Sequence, residues 1–73
     1  MKVKIRLDTN EQAIKFSTIT NKLGGKIVVT DNKGLQVNAK SILGMLYALE
    51  FEELWCVSDK DIYTKIEDYI IID

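Results

Sequence analysis

The sequence predicts an α+β fold of order β-α-β-β-α-β-α, in which a four-stranded, mainly antiparallel sheet carries three helices on one face as an open-faced sandwich. Three observations predict it. Segments 2–7, 26–30, 35–39 and 54–57 are alternating or β-branched and read as strands. Two segments of helical apolar spacing return the chain between strands, and a third follows the last one. No proline-rich, glycine-rich or low-complexity stretch separates any of these, so residues 1–73 form a single domain.

Taken in order, Val3, Ile5 and Leu7 alternate with Lys2, Lys4 and Arg6, the pattern of a strand buried on one side. Asp8, Thr9 and Asn10 are all suited to N-cap a helix, with Glu11 or Gln12 placed to complete a capping box. Ala13, Phe16, Ile19 and Leu23 then recur at helical spacing, which predicts a first helix over 10–23. Gly24 and Gly25 suit the left-handed turn that ends a helix. The sequence Asp31-Asn32-Lys33-Gly34 joins the second and third strands as a hairpin turn. Ser41 is an N-cap for a second helix, carrying Ile42, Leu43, Met45, Leu46 and Leu49 and ending near Phe51. After a short apolar strand around Trp55 and Cys56, Ser58 or Asp59 caps a last helix bearing Ile62, Ile66 and Ile70 at i, i+4 and i+8.

Composition excludes several chemistries. The chain has 73 residues and no histidine, so histidine general bases, histidine metal ligands and a Ser-His-Asp triad are ruled out. Cys56 is the only cysteine, which removes thiolate zinc sites and intrachain disulfides and reads as a buried, inert thiol. Neither a secretory leader nor an apolar run long enough to span a bilayer is present, so the expected home is the cytoplasm, without membrane insertion. No cofactor is implied, and the absence of a glycine-rich phosphate loop argues against a nucleotide-driven enzyme and a small-molecule ligand.

Other candidates lead nowhere further. Glu50, Glu52 and Glu53 read as a solvated helix end rather than a paired acid/base site, and Asp59-x-Asp61 lacks the glycine a calcium loop needs. Residues 1–40 carry eight Lys/Arg against three Asp/Glu, while residues 41–73 carry two against eight. A basic half on a βαββαβ sheet invites an RNA-binding platform, but such platforms stack bases on aromatics of the middle strands. With segments 26–30 and 35–39 read as those strands, no aromatic is available, and nucleic acid ranks last among partners.

The run Gln36-Val37-Asn38-Ala39-Lys40-Ser41-Ile42-Leu43-Gly44-Met45-Leu46 resembles HPr, the histidine-containing phosphocarrier family of the bacterial phosphoenolpyruvate:sugar phosphotransferase system. The element order matches that family, and the spacing from the first helix to Gly44 fits without a gap, so the resemblance spans nearly the whole chain. At the family's active centre, G-x-H-A-R-P, this chain reads Asp8-Thr9-Asn10-Glu11-Gln12-Ala13, placing Asn10 at the histidine, Gln12 at the arginine and Ala13 at the proline. A carboxamide cannot accept and pass on a phosphoryl group, so the resemblance implies a member without carrier activity and no catalytic residue.

What the resemblance does carry over is Ser41, at the serine that an ATP-dependent HPr kinase phosphorylates in many relatives, whose phosphorylated form acts as a corepressor. Lys40, Ile42, Leu43 and Leu46 would then belong to the surface that docks protein partners of phosphotransferase and catabolite regulation, with Gln12 at the phosphate-engaging position but lacking its charge. The expected function is a non-enzymatic regulatory or protein-binding module acting through Ser41. The alternative is a repurposed domain of the same fold that assembles through the apolar segment 69–72 or the second-helix stripe.

Overall fold

The computed structural model describes residues 1–72. Its elements are β1 (Lys2–Ile5), α1 (Asn10–Asn21), β2 (Ile27–Thr30), β3 (Gln36–Asn38), α2 (Ile42–Ala48), β4 (Leu54–Ser58) and α3 (Tyr63–Ile66), followed by a 3-10 turn at Glu67–Tyr69. The four strands form one sheet in the order β1-β4-β2-β3, and every neighbouring pair is antiparallel. This is the α+β, open-faced arrangement that the sequence predicts.

Alternation divides the sheet into two faces. Ile5, Ile27, Val29, Leu54 and Cys56 are buried on one, together with Ala13 and Phe16 of α1, Met45 and Ala48 of α2 and Ile66 of α3. Each large apolar side chain withdrawn from water there contributes about 1.5–3 kcal/mol. Thr20 is buried among them without penalty, because its hydroxyl reaches the Ala39 carbonyl at 2.8 Å and the Ser17 carbonyl at 3.0 Å. That bond and the one from the Asn21 carboxamide to the Lys40 carbonyl, at 2.7 Å, tie the C-terminal end of α1 to the residues just before α2.

Local chemistry explains the turns. Gly25 has φ +83°, and a Cβ there would come within 2.3 Å of the Asp59 carboxylate, so both conformation and space require glycine. In the β2–β3 turn, Asp31 Oδ1 accepts from the backbone N–H of Lys33 at 2.8 Å and of Leu35 at 3.0 Å, an Asx-type bracket that satisfies the turn from within.

Several boundaries differ from the sequence reading. The first helix ends at Asn21, with Leu23 in the following turn, and the second ends at Ala48, with Leu49, Glu50 and Phe51 in successive i→i−3 turns. The third helix is only four residues long and is not side-chain capped: its N-cap is Ile62, Ser58 donates instead to the Lys60 carbonyl, and Asp59 accepts from the Lys26 backbone N–H. Ile70 is not helical. It bridges Ile5 in antiparallel fashion, while Arg6 N–H donates to the Tyr69 carbonyl at 2.8 Å and Ile71 N–H to the Lys4 carbonyl at 3.0 Å. The physical reason is twofold. Consecutive isoleucines favour extended backbone, and the edge of β1 offers unpaired backbone groups that an extended segment satisfies.

Candidate functional site

Two helix starts hold the residues singled out by the sequence. At the first, Thr9 is the N-cap in extended conformation, and its Oγ1 accepts from the Gln12 N–H at 3.1 Å. Gln12 Oε1 in turn accepts from the Asp8 N–H at 2.6 Å, so the carboxamide is engaged in holding the entry to α1. Arg6 pairs with Asp8 at 3.0 Å beside it, in the open. Asn10, at the position where the HPr family has its histidine, is the first helical residue and is exposed. The chemistry of this end is that of a satisfied helix cap among paired surface charges.

At the second start, Ser41 is the N-cap of α2, and its Oγ accepts from the Gly44 N–H at 3.0 Å. A Cβ on residue 44 would sit 3.2 Å from both the Ser41 Cβ and the Asn38 carbonyl oxygen, so glycine lets the serine close tightly over the helix. Met45 and Ala48 turn inward, and the outward turn then exposes three large apolar groups: Ile42 (48 % exposed), Leu43 (79 %) and Tyr47 (54 %). The Tyr47 ring leans edge-on against Phe51 at 5.7 Å, which fixes its orientation at the margin of the patch.

The structure brings Ser41, Ile42 and Leu43 onto one surface but distributes the other candidates. Lys40 Nζ donates to the Gly25 carbonyl at 2.9 Å, which aims its ammonium at the turn after α1. Leu46 is half-buried against the core. Gln12 stands at the opposite end of α1 from the Thr20–Ala39 tie, and a helix of 12 residues is about 18 Å long. Gln12 and Ser41 therefore mark two ends of a helix pair rather than one cluster. Tyr47 escaped the sequence reading, although its i+4 spacing from Leu43 was the signal that it shares that exposed turn.

The remaining candidates fall into structural roles. Cys56 is fully buried, and desolvation pushes its thiol up from 9.0 to about 11, against a small opposing effect of the N-terminal ammonium. Lys33 lies 3.1 Å from Glu52, whose hydrogen bond and charge raise its pKa. Glu53 lies 3.6 Å from Lys4. No helix among the described residues is long and apolar enough to cross a membrane. In comparisons with known proteins, no family model, curated protein or solved structure matches the chain.

Proposed function

We propose that this chain is an HPr-like regulatory module, a cytoplasmic, non-enzymatic relative of the phosphotransferase phosphocarriers that binds protein partners through Ser41 and the outer turn of α2. The observation that carries the reading is the continuity of the Ser41 hydroxyl with Ile42, Leu43 and Tyr47, three large apolar groups left exposed within two turns of one helix. Apolar surface concentrated in this way favours a protein partner over a small ligand. A phosphoryl group on Ser41 would add charge and acceptor oxygens at the edge of that patch, changing which partner it suits. Asn10 supports the non-carrier half of the proposal, since its exposed carboxamide has no nucleophilic nitrogen to take a phosphoryl group.

The test is intact-mass measurement after incubation with HPr kinase and ATP, beside a reaction with enzyme I and phosphoenolpyruvate. One added phosphate in the first, lost in Ser41→Ala, and none in the second is the expected result. Unmodified protein in both would overturn the serine-dependent reading.

A second reading, a repurposed interaction domain that self-associates, draws on the same patch. The C-terminal segment offers less to it, because Tyr69 packs on Phe16 at 5.4 Å and Ile70 pairs with Ile5, leaving Ile72 (80 % exposed) as its outward apolar side chain. Sedimentation over a concentration series separates the readings: a dimer broken by Leu43→Ser favours the second.

A further inference from the structure

The sheet order places Trp55 where the sequence reading did not. Because β4 lies between β1 and β2, Trp55 is on an interior strand, and alternation turns it to the face away from the helices. Two cross-strand rows make up that face: Lys4, Trp55, Thr30 and Gln36 in one, and Lys2, Val57, Val28 and Asn38 in the other. All eight are half-buried or exposed, so no element of the described chain covers them. None is acidic. The Lys2 and Lys4 ammonium groups stand 5.3 and 5.8 Å from the centre of the indole ring.

We propose that this face binds single-stranded nucleic acid, with a base stacked at Trp55 and the flanking phosphates held by Lys2 and Lys4. A nucleotide carries its anion one sugar away from a planar ring, and the face presents cation and ring side by side in the same way. An acidic polypeptide would use the ammonium groups but leave the indole idle, whereas nucleic acid uses both. A duplex fits poorly, because the platform is a flat sheet with no helix or ribbon to enter a groove. Competing contacts are weak: Lys4 also faces Glu53 at 3.6 Å, but this ion pair is partly open to solvent and contributes little. Beside the rows, Val28, Val57, Gln36 and Lys26 line a shallow depression of about 300 Å³ that gives a neighbouring base an apolar floor. Asp59 on its rim is held by the Lys26 backbone N–H and bounds the track at that end.

Trp55 is the only tryptophan, so its fluorescence reports on the site directly. Titration with short oligouridylate and oligothymidylate should quench it. Anisotropy of the labelled oligomer should give a log–log salt slope of about −1.4 to −2.1, for two to three phosphates at about 0.7 each. Trp55→Leu should weaken binding about tenfold while Trp55→Phe largely preserves it, and Lys2→Gln should flatten the slope by about 0.7. Circular dichroism of each variant separates lost binding from lost fold. Polyglutamate binding as tightly as the oligonucleotides, and equally to Trp55→Leu, would replace the proposal with an acidic polypeptide partner. No anisotropy change with folded protein would overturn it outright.

Discussion

The starts of α1 and α2 are built alike and surrounded differently. Thr9 and Ser41 both sit in extended backbone, and both accept the N–H three residues on, at 3.1 and 3.0 Å. Around Thr9 the surface is charged and polar, with Arg6 and Asp8 paired and Gln12 closing on the Asp8 N–H. After Ser41 come Ile42, Leu43 and Tyr47, uncovered. A hydroxyl at a helix start is therefore poor evidence of function by itself, since the fold needs one at each place. The discriminating feature is the apolar turn that follows only one of them, which spends no side chain on the core and so has no structural reason to be apolar.

The largest expected effects test whether the two helices rest on one core. Phe16→Ala and Met45→Ala remove the main buried side chains of α1 and α2, and should cost about 3–5 and 2–5 kcal/mol respectively. A chain of this size has only about 4–11 kcal/mol in all. Urea denaturation followed at Trp55 and by far-ultraviolet circular dichroism should give coincident transitions for both variants. Separate transitions would show that the helix starts belong to independently melting units.

Next in size is a pH effect from the sheet beneath both helices. Burial raises the Cys56 thiol from 9.0 to about 11, so the folded state keeps a proton that the unfolded chain releases over that interval. Its contribution is fully present below pH 9 and is lost as pH rises towards 11, on the order of 2 kcal/mol. Cys56→Ala should flatten the alkaline fall in urea midpoint. Equal pH slopes in the two proteins would assign the fall to other groups.

Much of this was legible because it is short-range. Alternation at residues 2–7 reports a face, Asp31 and Gly34 report a turn, and Thr9 or Ser41 followed by apolar spacing reports a helix start. What the one-dimensional pattern does not carry is the order of strands in space. Reading β2 and β3 as the middle of the sheet removed Trp55 from view, whereas insertion of β4 between β1 and β2 puts it on an interior strand. Ile62, Ile66 and Ile70 failed for a related reason. Their i+4 spacing is helical, but a distant partner, the open edge of β1, takes Ile70 into extended backbone. Lys40 and Gln12 show the same limit: their neighbours in sequence do not reveal that one turns to Gly25 and the other to Asp8.

The caps themselves come next. Thr9→Ala and Ser41→Ala should each lose about 1 kcal/mol, the usual value of an N-cap hydroxyl, measured as urea midpoints at equal slope. Similar losses would establish that the two hydroxyls do the same structural work, leaving any further role of Ser41 to be read from modification or binding. A negligible loss at Ser41 would break the symmetry and mean that serine is kept there for something other than the cap.

The smallest expected change in stability is the most informative about function. Leu43 is 79 % exposed and contributes little to the core, so Leu43→Ser should shift stability by no more than about 0.5 kcal/mol. Asn10→Ala, at the exposed first position of α1, should be equally silent. On folding alone the two substitutions are indistinguishable, and that is their use. If α2 is the docking face, Leu43→Ser should weaken partner binding or self-association about tenfold or more in a calorimetric or sedimentation assay, as truncating a central apolar contact does, while Asn10→Ala changes neither. Equal behaviour in both assays would mean that the exposed apolar turn is not the docking surface, and the contrast between the two helix starts would lose its functional meaning.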